Sequence, residues 1–322
     1  MLLEISPVLV TGFRRPILLK NLIDHLLQFI SPSNLYVSID GVIGANPAHT
    51  GEIALSREIA RSYESIGVHL LLSEKNLGCY LANREAISWF FSNVDSGIIL
   101  EDDMWPNIDF LIFATKALEY FEHNSKVGSI SGTNIIPKGD LDKFSTVANF
   151  RFSKYSSSWG WATWSNRWEK FIASADKTEI KEIIYHTFTS KISRSYWSQI
   201  LFKTYQNEND SWAYRWLFTH WSQEWLALTP NSNFIVNLGF GAQGTHTTDT
   251  KIPWWVQPPA TLKIGIDLAS EFQSTQLRLD HRADAWLEKH HFRVKRSFAR
   301  NLLIDFGFRP LVEKYDQVRR KQ

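Results

Sequence analysis

From Ser6 to Ser131, short apolar runs alternate with segments of helical periodicity, and that alternation leaves few folds open to the chain. Ser6 to Gly12 is an apolar run ending in Thr-Gly, and Pro16 to Phe29 repeats Leu18, Leu19, Leu22, Leu26 and Phe29 at helical spacing. Strands are predicted at Leu35 to Ile39, Val68 to Leu72, Ser96 to Leu100 and Val127 to Ser131. Helices are predicted between them at Glu52 to Ser65, Leu81 to Phe91 and Ile108 to Phe121. Strand, helix, strand in strict alternation specifies a parallel sheet covered by helices, an α/β architecture.

A parallel sheet collects the carboxyl ends of its strands at one edge, and ligands bind there. Three consecutive acids, Glu101-Asp102-Asp103, stand at that edge behind Ser96-Gly97-Ile98-Ile99-Leu100. They would repel one another without a cation or a donor-rich ligand, and hard divalent cations are held by such oxygens. The alternative is a loop capping the helix that starts near Pro106 and Asp109, which also welcomes negative charge. Other loops reach the same edge. Thr11, Phe13, Arg14 and Arg15 bring a hydroxyl, backbone amides and two guanidiniums to a helix start, where anions are favoured. Asp40 ends the second strand and can accept from a base or ribose. Lys75, Asn76 and Gly78 form a polar turn, and Arg84, further into the next helix, can reach back toward a phosphate. Each also reads as a solvated loop residue, and it is their coincidence on one edge that suggests a nucleotide-diphosphate pocket.

Composition narrows the function classes. A formal net charge of +2 over 322 residues gives no bulk bias toward nucleic acid. One cysteine, Cys79, excludes internal disulfides and multi-cysteine zinc sites, and is expected to be inert. No apolar run approaches the ~20 residues that cross a bilayer, and the strand pattern begins too early for a signal peptide, so a cytoplasmic protein is expected. The 14 tryptophans, many between Trp159 and Trp255, serve either as core or as platforms for sugars and bases.

Beyond Pro137 the pattern turns aromatic and irregular. Helices are predicted at Glu179 to Phe188, Tyr196 to Tyr205 and Ser211 to Glu224, with short strands at Trp225 to Leu228 and Phe234 to Val236 before a Gly-rich loop, Leu238 to Thr248. From His281 to Gln322 basic residues outnumber acidic ones eleven to five in an amphipathic register through Val294, Phe298 and Leu302. Such a segment can lie on an anionic membrane surface or dock on its own domain, and both readings stand. The organisation expected is a nucleotide-sugar half at 1–136, an acceptor-binding half of the same domain at 137–260 and a basic helical extension at 261–322.

Four blocks in order resemble a known family. Glu101-Asp102-Asp103 after its strand, with Val8-Leu9-Val10-Thr11 before it and Asn76-Leu77-Gly78 between, looks like a GT-A glycosyltransferase. More narrowly, the chain resembles the bacterial nucleotide-diphospho-sugar transferases related to N-acetylglucosaminyltransferase I, with their Glu-Asp-Asp version of Asp-x-Asp. Ser158-Trp159-Gly160-Trp161-Ala162-Thr163-Trp164, Asn209-Asp210-Ser211-Trp212 and Gly241-Ala242-Gln243-Gly244-Thr245-His246 are similar to three further blocks of those proteins. The likeness runs from about residue 5 to residue 250.

The resemblance implies a metal-dependent, inverting transfer of a sugar from a nucleotide diphosphate, UDP first among them, to a hydroxyl of a glycan or glycolipid in polysaccharide biosynthesis. It implies that Asp103 ligates Mn²⁺ or Mg²⁺, with His246 as a second ligand or phosphate donor and Glu101 and Asp102 near the ribose or just behind the metal's ligands. Asp210 is the implied base, though an Asp before Ser-Trp also makes a good helix N-cap, and Glu224 is the fallback. Trp159, Trp161 and Trp212, with Ser158, Gly160 and Asn134, would line the sugar and acceptor pocket. At least two of Trp164, Trp168, Trp216 and Trp221 are expected to be packing alone. Two rivals remain. A sugar-phosphate nucleotidyltransferase is disfavoured because Thr11-Gly12-Phe13-Arg14-Arg15 lacks the glycine-rich loop that such enzymes carry. A non-catalytic nucleotide-sugar or glycan-binding protein would share the pocket without turnover.

Overall fold

The computed structural model describes residues 4–144, 149–239 and 267–295. Ten strands are described: β1 (Val8–Gly12), β2 (Leu35–Ile39), β3 (His69–Leu72), β4 (Ser96–Glu101), β5 (Met104–Pro106), β6 (Val127–Ser131), β7 (Phe150–Ser153), β8 (Trp161–Trp164), β9 (Leu226–Pro230) and β10 (Ile235–Asn237). The helices in the first half are α1 (Pro16–Leu26), α2 (Thr50–Ser62), α3 (Gly78–Phe91) and α4 (Ile108–Phe121). Those that follow are α5 (Lys138–Phe144), α6 (Ser165–Trp168), α7 (Lys177–Thr187), α8 (Lys191–Tyr205), α9 (Trp212–Ser222), α10 (Leu268–Ser274) and α11 (His281–Trp286).

Eight strands form one sheet in the order β3-β2-β1-β4-β8-β6-β9-β7. β3, β2, β1 and β4 pair in parallel, as do β6 and β9, while β8 is antiparallel to both β4 and β6 and β7 is antiparallel to β9. Six strands therefore run one way and β8 and β7 the other. This is the Rossmann-like, mostly parallel sheet that the alternation predicts. The apolar runs are buried on both faces, as a helix-covered parallel sheet requires: Val8, Leu9, Val10, Leu35, Val37 and Ile98 have no exposed surface. α1 starts on Pro16, whose missing N–H costs nothing there, and turns Leu19, Leu22, Ile23 and Leu26 inward. α4 is capped by Asn107, which accepts from the Phe110 N–H at 2.9 Å. The expected helix start near Asp109 is thus correct in place, but the capping side chain is two residues earlier.

Two parts of the fold depart from the sequence expectation. The stretch read as aromatic and irregular contains β7 and β8, and β8 inserts between β4 and β6. Periodicity missed it because Trp161-Ala162-Thr163-Trp164 is buried on both faces and does not alternate. A small second sheet pairs β5 with β10 and brings residues 237–239 beside Asp103, whose carbonyl accepts from the Leu238 N–H at 2.8 Å.

Trp164, Trp168, Trp216 and Trp221 are all buried, as packing residues are expected to be. Trp161 joins them: it is 1 % exposed, stacks on Trp212 with ring centroids 5.5 Å apart and lies 5.4 Å from Trp216. A second core is built by α7, α8, α9 and α11 around Trp197 and Phe218. α7 begins with a capping box between Asp176 and Glu179. Among the described residues no helix is long and apolar enough to cross a membrane. The basic register beyond residue 295 lies outside the described residues.

Candidate active site

The strand order reverses direction at β1, with β2 on one side and β4 on the other, so a crevice opens beyond their carboxyl ends. Register fixes what lines it. Thr11 pairs with Glu101, and the Asp102 N–H donates to the Thr11 carbonyl at 2.9 Å, so residues 12–15 and 101–103 meet across one gap. β8, being antiparallel, starts where β4 ends and delivers Ser158, Trp159 and Gly160 to the same edge. A hollow of about 350 Å³ results, lined by Thr11, Phe13, Arg14, Arg15, Asp40, Asn76, Gly78, Glu101, Asp102, Asp103, Trp159 and Asp210. That volume suits a small-molecule site. A second hollow of about 490 Å³ adjoins it and shares Cys79, Glu101, Trp159 and Asp210 with the first.

Three carboxylates and one guanidinium set the electrostatics. Arg15 Nη1 donates to Asp103 Oδ2 at 2.6 Å and to Asp102 Oδ1 at 2.9 Å, and Asp102 Oδ2 accepts from the Phe13 N–H at 3.3 Å. Among the described residues the buried Asp103 Oδ1 has no hydrogen-bond partner. Burial first, then the charges of Asp103 and Asp102, push Glu101 up to about 8, against the pull of Arg15 and a hydrogen bond from Trp212. Burial followed by Asp103 raises Asp102 to about 6, and burial raises Asp103 against the pull of Arg15. Arg15 therefore offsets only part of the negative charge, and an added cation would relieve the rest. Among the described residues no group of three or more His, Cys, Asp or Glu side chains is arranged to hold a metal ion. The donor that fits one is the buried Asp103 oxygen without a partner among the described residues, on a side chain that lines the first hollow. His246 and its block lie outside the described residues.

The raised acids have a consequence for stability. Glu101 holds its proton longer in the native state, so folding free energy is lost as pH rises from its ordinary 4.5 toward about 8. Buried His220 and His291 act oppositely, because burial holds them down at about 3 and about 4, and their contribution is complete above 6.5. Metal-free protein is therefore expected to lose stability between pH 6.5 and 8, on the order of 1 kcal/mol. Urea midpoints at the two pH values measure the loss, and Glu101→Gln should flatten it.

Asp40 and Asp210 share an unforeseen task. Asp40 accepts from the Leu77 N–H at 2.9 Å and the Gly78 N–H at 3.1 Å; Asp210 accepts from the Cys79 N–H at 2.6 Å and the Tyr80 N–H at 3.0 Å. Two carboxylates remote in sequence thus satisfy the free amides at the start of α3, where the helix dipole favours negative charge. Gly78 has φ +75°, and a Cβ there would lie 2.9 Å from Asp210 Oδ2, so glycine is what lets Asp210 approach. The N-cap expected of Asp210 toward its own helix is made instead by Ser211, which accepts from the Tyr214 N–H. Burial raises Asp40, and its amide partners oppose that.

Several expected site residues stand elsewhere. Glu224 is exposed at φ +53° beyond the end of α9 and pairs with Lys126 at 3.7 Å, away from both hollows, so it is no fallback base. Trp161 faces the tryptophan core, whereas Ser158, Trp159 and Trp212 line the second hollow. Asn134 is buried and spends its amide on the Ile136 and Asn231 carbonyls and its oxygen on Arg151, a structural role. Arg84 and Lys75 are exposed and line neither hollow. Asn76 does line the first, while its side chain accepts from the Gly78 N–H.

Gly160 has φ +64°, and its close neighbour is Ile235 rather than open pocket. Gly160→Ala would place Cβ 2.6 Å from Ile235 Cδ1. It is expected to cost about 1–3 kcal/mol in denaturant titrations without changing nucleotide affinity.

Sequence reading missed Asn83, which accepts from the Thr11 hydroxyl at 3.0 Å. Its spacing of four from Cys79 on α3 was the available signal. It also did not place residues 287–292, which follow α11 and of which Leu287, His291 and Phe292 wall the second hollow. Cys79 lines both hollows, but burial, then Glu101 and Asp210, push its thiol up to about 12, which agrees with an inert residue.

No protein-family model matches the chain, and no curated protein is similar to it in sequence. Among solved structures it is similar to a mannosyltransferase, PcManGT, from Pyrobaculum calidifontis in complex with GDP-Man and Mn²⁺, at 12 % identity and a TM-score of 0.37, covering 68 % of this chain and 73 % of that one. It is also similar to a mannose-1-phosphate geranyltransferase from Thermus thermophilus, at 8 % identity and a TM-score of 0.34, covering 70 % and 73 %. At these TM-scores the likenesses carry no weight, and the chemistry rests on the chain's own residues.

Proposed function

We propose that the chain is a divalent-metal-dependent, inverting glycosyltransferase of the GT-A type. It moves a sugar from a nucleotide diphosphate, UDP being the nucleotide we assign, to a hydroxyl of a glycan or glycolipid. One observation carries this: two hollows meet at Glu101, Trp159 and Asp210, the first edged by carboxylates and arginines and the second by aromatic rings and hydroxyls. A group transfer needs such a junction, with the donor on one side and the acceptor on the other.

Asp103, with His246 as the further donor, would hold Mn²⁺ or Mg²⁺, which when bound neutralises charge on the departing diphosphate. Thr11 and the amides of residues 12–15 would seat the diphosphate, and Arg15, now shared between Asp102 and Asp103, would turn toward it. Asp210 would take the proton of the attacking hydroxyl. Two of its lone-pair positions hold the Cys79 and Tyr80 amides and orient it, which leaves others for the acceptor. The wall of Trp159 would carry the sugar between the hollows.

The test is melting of the purified chain with UDP, with Mn²⁺ and with both. A rise that needs both and vanishes in EDTA is expected, by mass action on the folded state. The absence of any Mn²⁺-dependent rise with every nucleoside diphosphate overturns the proposal. A rise without donor cleavage would make the chain a binding protein.

A further inference from the structure

The second hollow carries a feature that sugar transfer alone does not demand. Arg151 lines it from β7, is 5 % exposed, and makes no ion pair among the described residues. Its hydrogen bonds go to neutral acceptors: Nη1 to the Pro230 carbonyl at 3.0 Å and Asn231 Oδ1 at 2.6 Å, and Nη2 to Asn134 Oδ1 at 3.0 Å. A guanidinium has five N–H donors, so Nε–H and one Nη2–H remain, and among the described residues Nε has no partner. Beside it on β9, the Thr229 hydroxyl, also 5 % exposed and on a residue lining the hollow, has no partner among the described residues either. Asp284 and Asp280 act on Arg151 only from a distance, and Asp284 is occupied by the Ser153 hydroxyl and the Lys154 N–H.

A buried cation without a contacting anion, next to an orphaned hydroxyl in the wall of a cavity, is an arrangement that a ligand completes. Nε–H and the second Nη2–H are the donors left to take a carboxylate or phosphate. The same hollow is lined by Trp212, Tyr214, Leu217 and Phe292, surfaces on which the faces of a sugar ring pack.

We propose that the second hollow binds an acidic saccharide, its anionic group held by Arg151 and Thr229. This rests on the transferase reading in making that saccharide the acceptor, but the binding itself needs neither donor nor metal. The anion would be a carboxylate of a uronic acid or a phosphate ester on the sugar, since one guanidinium edge serves both.

The experiment titrates the full chain, without nucleotide or metal, with methyl glucoside, methyl glucuronide and glucose 6-phosphate, and follows binding by tryptophan fluorescence or ligand-observed NMR. Binding of one acidic sugar about tenfold tighter than the glucoside is expected, the size of a charge-assisted hydrogen-bonded pair. Which of the two wins identifies the anion. Thr229→Val, which keeps shape and removes the hydroxyl, should weaken the preferred sugar about threefold. Arg151→Lys, which keeps the charge and loses the paired donors, should weaken the preferred sugar severalfold. Equal binding of neutral and acidic sugars overturns the inference, as does a preference that both substitutions leave undiminished. Arg151 also supports residues 230–231, so if Arg151→Lys fails to fold, the wild-type comparison and Thr229→Val decide. A melting rise with UDP and Mn²⁺ but no acidic preference removes this inference alone. Loss of that rise removes the transferase reading and leaves saccharide binding to stand on its own titration.

Discussion

Asp103→Asn is expected to lower donor turnover by about a thousandfold or more while leaving the fold intact. The fold should hold because the substitution preserves shape, lets the amide oxygen keep the place of Oδ2 beside Arg15, leaves Arg15 its bond to Asp102, and removes one of three crowded like charges. Turnover should fall because the lost oxygen, Oδ1, is the buried one with no partner among the described residues, the donor left for a cation. Release of nucleoside diphosphate under saturating Mn²⁺ measures the first effect and the melting temperature in EDTA the second. Turnover within tenfold of wild type would mean that Asp103 serves only Arg15.

Asp210→Asn is the second large effect, and it separates two tasks of one side chain. The wild-type carboxylate accepts from two successive amides, Cys79 and Tyr80, one on each oxygen. An amide offers a single acceptor and turns its NH₂ against the other N–H, so α3 should lose about 1 kcal/mol of support. Transfer should fall by about 10²–10⁴, the range a positioned general base contributes. Binding of UDP with Mn²⁺ should change little, because Asp210 faces the junction of the hollows rather than Asp103. Retained transfer together with weakened nucleotide binding would recast Asp210 as a helix anchor without a part in proton transfer.

The parallel half of the fold was legible because its signals are local. Apolar runs such as Val8-Leu9-Val10 and Ile98-Ile99-Leu100 are buried on both faces, and their helices show the 3.6-residue repeat. The edge carrying Thr11, Asp40 and Glu101 to Asp103 followed from strand direction alone. β8 was not legible, because a four-residue strand of bulky residues has no period, and its place between β4 and β6 depends on contacts distant in sequence. For the same reason Trp161 could not be told from Trp159: the two are separated only by a positive-φ glycine that turns the chain from the hollow into the core. Asp210 was found through its sequence block, yet its bond to α3 spans 131 residues and no local pattern encodes it. Arg151 and Thr229 were invisible, since a buried guanidinium without an ion pair is defined by what surrounds it.

The central claim is that the strand-end acids hold a cation that holds a donor's diphosphate. The most direct measurement incubates the purified chain with a panel of UDP-, GDP-, ADP- and dTDP-sugars and follows nucleoside diphosphate release with Mn²⁺ and with EDTA. The account predicts release from at least one donor, UDP-linked first, dependent on Mn²⁺ and lost in Asp103→Asn. Release that proceeds equally in EDTA, or from none of the donors in the presence of acceptor glycans, would contradict it.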